Sequence, residues 1–166
     1  HPVNRRQRQM CIRDSYLVFE ALECHGGPGY IEESIMPRLY REAPLNSIWE
    51  GSGNVMCLDV LRALQRDKNA LPSLFRELAS ANGSNKNFDE SFSHLKETLQ
   101  DPIDLEIEAR LLTEKMACLI QASIFIKSGE EEKISAFCNS RLGPRWSGAF
   151  GTLPTDTSFE YIMGGL

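Results

Sequence analysis

Apolar residues recur at spacings of three and four along most of this chain, and that period restricts the folds it can adopt. In the segment 54–67, for example, Cys57, Leu61 and Leu64 fall on one face if the backbone is helical. A half-buried strand would instead alternate polar and apolar residues, and no run alternates for long enough to indicate one. The sequence therefore predicts an all-α fold.

Glycine and proline mark where the predicted helices end. The helix that begins at Tyr16 is expected to stop at the Gly-Gly-Pro-Gly cluster of residues 26–29. Pro37 and Pro44 limit 30–47 to short, punctuated structure. Further helices are predicted over 54–67 and 73–81, from Asp89 to Leu99, from Pro102 to about Gly129, and from Glu131 through Cys138.

Three motifs predict where the later helices begin. Asp89 and Asp101 are expected N-caps, because a carboxylate accepts a hydrogen bond from an orphan amide of the first turn. Pro102 then occupies a position where its missing N–H costs nothing. Ser128 and Glu131 have the spacing of a capping box. Beyond them, 143–154 is predicted to be an ordered loop packed by the rings of Trp146 and Phe150.

Composition excludes several classes of protein. The chain has 166 residues, 42% of them hydrophobic, which is enough for a core, and its net charge of −5 argues against a surface devoted to polyanions. No stretch approaches the roughly 18 apolar residues of a membrane span, and no secretory signal is expected. Five cysteines without a CxxC pair, and three histidines without an HExxH motif, predict a cytoplasmic protein with reduced thiols and no metal site.

The first fifteen residues differ from the rest of the chain. They contain four of its eighteen basic residues and show no helical or strand period. A nucleic-acid-binding arm and a disordered terminus are both possible interpretations. The string NRRQRQMCIRDS also resembles translated sequencing-adapter sequence. We therefore expect 1–15 to be a non-native or disordered arm and base no function on its arginines.

Glu50 is the candidate for catalysis. It stands between the bulky Trp49 and Gly51-Ser52-Gly53, just before a predicted helix. A carboxylate held in an apolar pocket there would have the raised pKa that suits a general base. Helix N-terminal amides next to glycines could also hold a phosphate or an oxyanion. On spacing alone, the simpler interpretation is that Glu50 only complements the helix dipole.

Neither glycine-rich segment is a known nucleotide fingerprint. The clusters 26–29 and 51–53 do not follow the GxGxxG pattern or end in the Gly-Lys-Ser/Thr of a phosphate loop. By itself, each is more typical of a helix cap than of a ligand loop. His25 could contact a ligand, although histidines in turns are usually only solvent-exposed.

Three segments at fixed separation nevertheless resemble the C-terminal domain of the acyl-CoA dehydrogenases. They are ALECHGGPGY at 21–30, PRLYREA at 37–43 and IWEGS at 48–52. Within that family the Trp-Glu-Gly-Ser-Gly-Asn string is similar to the AidB-like branch, the isovaleryl-CoA dehydrogenase-like flavoproteins of the adaptive alkylation response. The resemblance implies a helical-bundle C-terminal domain at 16–67 and a helical C-terminal extension at 68–166.

The resemblance also implies roles for particular residues. Glu50 matches the base that takes the α-proton from an acyl-CoA thioester while the β-hydride moves to FAD, and Gly51 matches a position beside the thioester. Part of the FAD is contacted from a neighbouring subunit in this family, which implies a homotetramer built as a dimer of dimers. The positions that match FAD contacts are Glu23, Cys24, His25, Gly26, Gly27, Trp49, Ser52, Gly53 and Asn54.

The sequence differs from the usual family pattern at two of these positions. Many family members have Gln at the position of Glu23 and Thr at that of Ser52, and both differences favour the alkylation-response branch over ordinary fatty-acid oxidation.

The family's domains that hold the flavin ring and most of the acyl cavity would precede Tyr16. The fragment alone is therefore expected to be inactive, and the acyl chain preference cannot be read from it.

Two alternatives remain at this stage. The branch is also thought to bind double-stranded DNA through its extension, where Arg62, Arg141 and Arg145 are candidate contacts. Residues 60–166 contain 12 Lys and Arg but 15 Asp and Glu, which gives this idea little support. The first alternative is accordingly a DNA-protecting flavoprotein with vestigial dehydrogenase activity. The second is a helical assembly module without chemistry.

Overall fold

The computed structural model describes residues 15–48, 51–100, 105–144 and 150–164. Within these ranges the secondary structure is helical and contains no strand, which confirms the all-α prediction. The first helix, α1, covers 15–25. The others are α2 (Gly27–Tyr30), α3 (Met36–Glu42), a 3-10 helix (Ala43–Ser47), α4 (Gly53–Arg66), α5 (Ala70–Ala79), α6 (Lys86–Gln100), α7 (Ala109–Ser128), α8 (Glu131–Arg141) and α9 (Phe159–Gly164).

The chain divides into two compact units between Cys57 and Leu58, inside α4. In the first unit α2 packs on α3, and the 3-10 helix continues directly from α3. Its buried side chains are few, and Met36, Ala43 and Cys57 are among them. Many of its large apolar side chains are exposed; those more than half exposed are Tyr16, Leu17, Tyr30, Ile35, Leu45 and Ile48.

The second unit has a more extensive core, built around α7. Helices α5, α6 and α8 all pack on α7, and α9 packs on α8. On α7, Leu112, Met116 and Leu119 are buried at the alternating spacings of four and three that the sequence predicted. Aromatic rings also pack here, with the ring centroids of Phe75 and Phe92 separated by 5.9 Å.

The predicted start of α6 was wrong. Helix α6 begins at Lys86, and the cap is Asn85, whose Oδ1 accepts hydrogen bonds from the backbone N–H of Asn87 at 3.0 Å and of Phe88 at 3.3 Å. Asp89 lies inside the helix, where its Oδ1 accepts a hydrogen bond from the N–H of Gly83 at 2.9 Å. The carboxylate therefore closes the preceding loop, while the amide caps the helix. The helix predicted over 73–81 likewise begins earlier, at Ala70.

The connection between α7 and α8 also differs from the prediction. Helix α7 ends at Ser128, and its C-cap is Gly129 with φ of 76°, so the helix stops where the sequence predicted. Ser128 and Glu131 do not form a capping box, because the Ser128 hydroxyl donates to the Phe125 carbonyl at 2.7 Å. Glu130 is the N-cap residue of α8, and it makes no side-chain capping bond. Helix α7 itself begins at Ala109 after a turn at 105–108, and the predicted Asp101-Pro102 cap lies outside the described residues.

The C-terminal segment contains a helix that the sequence did not predict. Helix α9 is held to the α7–α8 corner by a hydrogen bond from the Tyr161 hydroxyl to Glu130 Oε2 at 3.4 Å. In the predicted aromatic loop, the Phe150 ring lies beside Arg141, and Trp146 is outside the described residues. None of the helices in the described ranges is long and apolar enough to cross a membrane.

Candidate functional site

The first cluster of predicted site residues lies at the end of α1. Glu23, Cys24 and His25 are exposed, and His25 Nδ1 lies 2.8 Å from the Ala21 carbonyl oxygen, within hydrogen-bonding distance. Gly26 follows the helix, and its N–H donates to the Glu23 carbonyl at 2.9 Å. A side chain at Gly26 or Gly27 would meet no atom within 4 Å. The turn therefore presents open backbone that a ligand can approach closely.

Gly29 fixes the shape of this turn. It is buried, and a Cβ at this position would collide with the Leu22 carbonyl oxygen and lie 2.9 Å from the Cβ of His25. Helix α2 can approach α1 this closely only because residue 29 has no side chain. Sequence reasoning assigned the whole cluster to a helix stop, but the close approach at Gly29 is a packing constraint that the spacing did not reveal.

The loop from α2 to α3 is closed by an ion pair. Arg41 donates from Nη1 to Glu32 Oε1 at 2.5 Å and from Nη2 to Glu32 Oε2 at 3.2 Å. This hydrogen bonding lowers the pKa of Glu32 and raises the pKa of Arg41. Because both side chains are more than half exposed, the pair orients the loop more than it stabilises the fold. The sequence analysis missed this pair; the one available signal was opposite charge across a predicted loop.

The second cluster lies where α4 begins. Glu50 and Trp49 are outside the described residues, which include their neighbours Ile48 and Gly51. The N–H of Gly51 donates to the Ile48 carbonyl at 3.0 Å. Gly51 has φ of 127°, a conformation that glycine adopts far more readily than other residues.

The first turn of α4 supplies backbone donors. The Ser52 carbonyl accepts the N–H of Met56 at 3.1 Å, and the side chains of Ser52 and Asn54 are exposed. The first N–H groups of any α-helix lack partners within the helix and attract anions. The residues 51–54 can therefore present amides and polar side chains to an anionic group.

The two clusters lie at the ends of two different helices, α1 and α4. No hydrogen bond, ion pair or ring contact between described residues links 23–27 to 51–54. No group of three or more potential metal ligands occurs among the residues that the structure describes.

The candidate DNA contacts are in the second unit. Arg62 on α4 donates to Asp59 Oδ1 at 2.9 Å, so an acidic neighbour offsets its charge. Arg141 ends α8, and its guanidinium carbon lies 5.8 Å from the centroid of the Phe150 ring. Arg145 is outside the described residues.

Both clusters lie in the part of the chain that matches a known family. Residues 15–65 match the family described as acyl-CoA dehydrogenase, C-terminal domain, which spans α1 to nearly the end of α4. AidB of Escherichia coli (strain K12), named as a candidate acyl-CoA dehydrogenase, is 39% identical over 136 residues, or 82% of this chain and 25% of that protein. Acyl-CoA dehydrogenase family member 11 of Caenorhabditis elegans is 37% identical over 87 residues, or 52% of this chain and 14% of that protein.

The chain thus spans a quarter or less of the length of these two curated relatives. The stretch matched to AidB is much longer than the matched domain, so the likeness extends into the helices that follow α4. These matches confirm the resemblance on which the site residues were chosen. The chain belongs to the acyl-CoA dehydrogenase family, as an AidB-like C-terminal part of it.

Proposed function

We propose that the chain is part of an FAD-dependent acyl-CoA dehydrogenase-like oxidoreductase of the alkylation-response branch, in which Glu50 is the catalytic base. The observation that carries this proposal is the match of residues 15–65 to the family's C-terminal domain, because this segment contains both clusters. The position of Glu50 adds support, since it immediately precedes the glycine that leads into α4.

In this proposal the Glu50 carboxylate takes the α-proton of an acyl-CoA thioester. Burial of the carboxylate in an apolar pocket would strengthen it as a base, and the apolar residues Ile48 and Trp49 precede it in the chain. Gly51, which lacks a side chain, lets its backbone come close to the thioester. When bound, FAD supplies the acceptor for the β-hydride, so that the two hydrogens leave and a double bond forms.

The described residues fit an anionic dinucleotide. The α4 N-terminus offers backbone amides, with the exposed polar side chains of Ser52 and Asn54 beside them. The open glycines at 26 and 27 allow close approach, and the exposed Glu23 carboxylate can accept hydrogen bonds from ribose hydroxyls. We therefore assign the FAD contacts of the sequence analysis to these two helix ends, with the 23–27 cluster serving a neighbouring subunit of a homotetramer.

We retain the division of the chain into 16–67 and 68–166 as part of this proposal. Arg66 ends α4, so the division falls at a helix end, although the boundary between compact units lies earlier in the same helix. We also retain the inactivity of the isolated chain, since the relatives are far longer than the segment matched here. The proposed cytoplasmic location has a separate basis, the free thiols of Cys24, Cys57, Cys118 and Cys138.

The central test replaces Glu50 with Gln in the complete protein encoded at the source locus. Loss of a general base typically costs 10²–10⁴-fold in rate, so the rate of FAD reduction by acyl-CoA should fall by about that factor. The bound FAD, measured by its absorbance, should remain. Glu33→Gln is the matched control, because Glu33 is an exposed carboxylate of the same unit.

Unchanged FAD reduction in the Glu50→Gln protein would exclude the catalytic role. If the protein binds FAD but neither variant reduces it, the vestigial, DNA-protecting alternative is favoured. That alternative has weaker support, because Asp59 offsets Arg62 and the extension carries more acidic than basic residues. A DNA-binding titration over a range of salt concentrations tests it directly, since phosphate contacts make affinity fall steeply with salt.

A further inference from the structure

A cavity of about 200 Å³ opens in the second unit where α6, α7 and α8 meet. One side is a face of α7, because Leu111, Lys115 and Cys118 follow each other at spacings of four and three. Arg141 and Leu142, at the end of α8, line the other side. None of these residues belongs to the proposed FAD or acyl-CoA site.

The residues that line this cavity differ in chemistry. Leu111, Leu142 and the buried Cys118 provide apolar walls. Lys115 and Arg141 also line the cavity, and their side chains bring an ammonium and a guanidinium group to it. Such a combination of an apolar pocket with a few polar groups is typical of small-molecule sites.

Among the residues that the structure describes, the side chain beside the Lys115 ammonium is that of a histidine. Its Nζ lies 3.3 Å from Nδ1 of His94 on α6, within hydrogen-bonding distance. Lys115 takes part in none of the salt bridges between described residues. Its charge is therefore available to an anion, which would lie in a site where solvent is partly excluded.

The second cation, Arg141, is positioned by an aromatic ring. Its guanidinium carbon lies 5.8 Å from the centroid of the Phe150 ring, within the range of a cation–π interaction. Arg141 also offsets the negative end of the α8 dipole. A cation fixed in this way loses less side-chain entropy when it binds a ligand.

We propose that this cavity binds a small organic anion with an apolar body, whose charged group lies between Lys115 and Arg141. The volume would accommodate roughly six water-sized groups, which suits a hydrocarbon chain of four or five carbons. The hydrocarbon lies against Leu111, Cys118 and Leu142. Glu114 also lines the cavity, and its carboxylate opposes the binding of an anion.

Titration of the 166-residue chain with pentanoate, followed by calorimetry or by amide chemical shifts, tests this proposal. Pentanoate should bind saturably, and acetate, 1-pentanol and pentylamine should each bind at least ~10-fold more weakly, because each lacks the tail or the negative charge. Lys115→Gln should weaken pentanoate binding ~10-fold by removing a charge-assisted hydrogen bond. Lys86→Gln is the control, since Lys86 is exposed on α6 and lies near Glu90.

Glu114→Gln gives a prediction of opposite sign. Removal of the repelling carboxylate should tighten pentanoate binding by a few-fold, which a loss of structure could not produce. The proposal is overturned if pentanoate does not saturate, if acetate binds equally well, if Lys115→Gln behaves like Lys86→Gln, or if Glu114→Gln weakens binding. None of these results depends on Glu50 or on bound FAD.

Discussion

The side-chain amides of Asn87 and Asn139 join helices that are far apart in the chain. Asn87 Nδ2 donates to Asn139 Oδ1 at 2.7 Å, which links α6 to α8. Asn139 Nδ2 donates in turn to Ser135 Oγ at 3.2 Å. The pair is partly buried, so a polar group that lost its partner here would not be fully compensated by water.

Asn87→Ala should therefore lower the free energy of unfolding by about 1–2 kcal/mol. The measurement is urea denaturation of the chain, with the double variant Asn87→Ala/Asn139→Ala to complete a thermodynamic cycle. The double variant should lose less than the sum of the single variants. Asn82→Ala, in an exposed loop, is the control and should change stability by less than about 0.5 kcal/mol. Additive losses would show that the two amides do not interact.

Gly29→Ala should destabilise the first unit, because the added Cβ meets the carbonyl oxygen of Leu22 in a position where only backbone could move. Overpacking of this kind typically costs about 1–3 kcal/mol. Gly27→Ala is the matched control two residues away, since its Cβ would meet nothing within 4 Å. Thermal unfolding followed by circular dichroism distinguishes them: only Gly29→Ala should lower the melting temperature. Equal effects would mean that the close approach does not constrain the turn.

Asn85→Ala should cost about 1 kcal/mol, the usual loss when a helix N-cap is removed. Asn85→Asp should restore most of this stability, because a carboxylate oxygen can accept the same two backbone hydrogen bonds. Ser84→Ala, one residue earlier and exposed, serves as the comparison. Chemical denaturation of the four proteins would contradict the assignment if Asn85→Ala matched Ser84→Ala.

These residues show what the sequence could and could not predict about the fold. The buried spacing of Leu112, Met116 and Leu119 was readable, because one helix face is a local property of the sequence. The choice between Asn85 and Asp89 as the helix cap could not be predicted, because both residue types favour the N-cap position. The hydrogen bond that Asp89 accepts from Gly83 instead depends on the conformation of the loop. Ser128 illustrates the same difficulty, because its hydroxyl bonds to the carbonyl of Phe125 within its own helix.

Prediction of the candidate site depended on a different kind of information from prediction of the helices. The resemblance to a family is what makes Glu50 the proposed base, whereas spacing alone favoured a helix-dipole role for it. The structure then adds features that no local pattern contains, such as the ion pair of Glu32 with Arg41 and the proximity of His94 to Lys115. Each joins residues on different elements, so it follows from packing and not from periodicity.

Glu130 gives a prediction about the dependence of stability on pH. Its Oε2 lies 2.6 Å from Lys133 Nζ and accepts a hydrogen bond from the Tyr161 hydroxyl at 3.4 Å. The hydrogen bond from Lys133 is the main reason why the pKa of Glu130 lies below its ordinary value of 4.5. A lowered pKa means that the folded state favours the ionised carboxylate, so this stabilisation is present above pH 4.5 and is lost as the pH falls through the folded-state pKa.

The ion pair of Glu130 with Lys133 also has an upper pH limit, above which its stabilisation is lost. The hydrogen bond to Glu130 raises the pKa of Lys133 above its ordinary value of 10.5. A raised pKa means that the stabilisation is complete below 10.5 and is lost as the pH rises through the folded-state value. The contribution of the pair is thus expected between about pH 4.5 and 10.5 and is reduced by salt, since both side chains are about one-third exposed.

Glu130→Gln should therefore lower the melting temperature at pH 7, and the difference from the unmodified chain should shrink as the pH is lowered below 4.5. Glu106→Gln is the control, because Glu106 is an exposed carboxylate in the turn before α7. Thermal unfolding at a series of pH values and at two salt concentrations makes the comparison. A difference that stayed constant down to pH 2 would show that Glu130 acts through packing and not through its charge. Loss of the difference in high salt at pH 7, with Glu106→Gln unaffected, would identify the ion pair with Lys133 as its source.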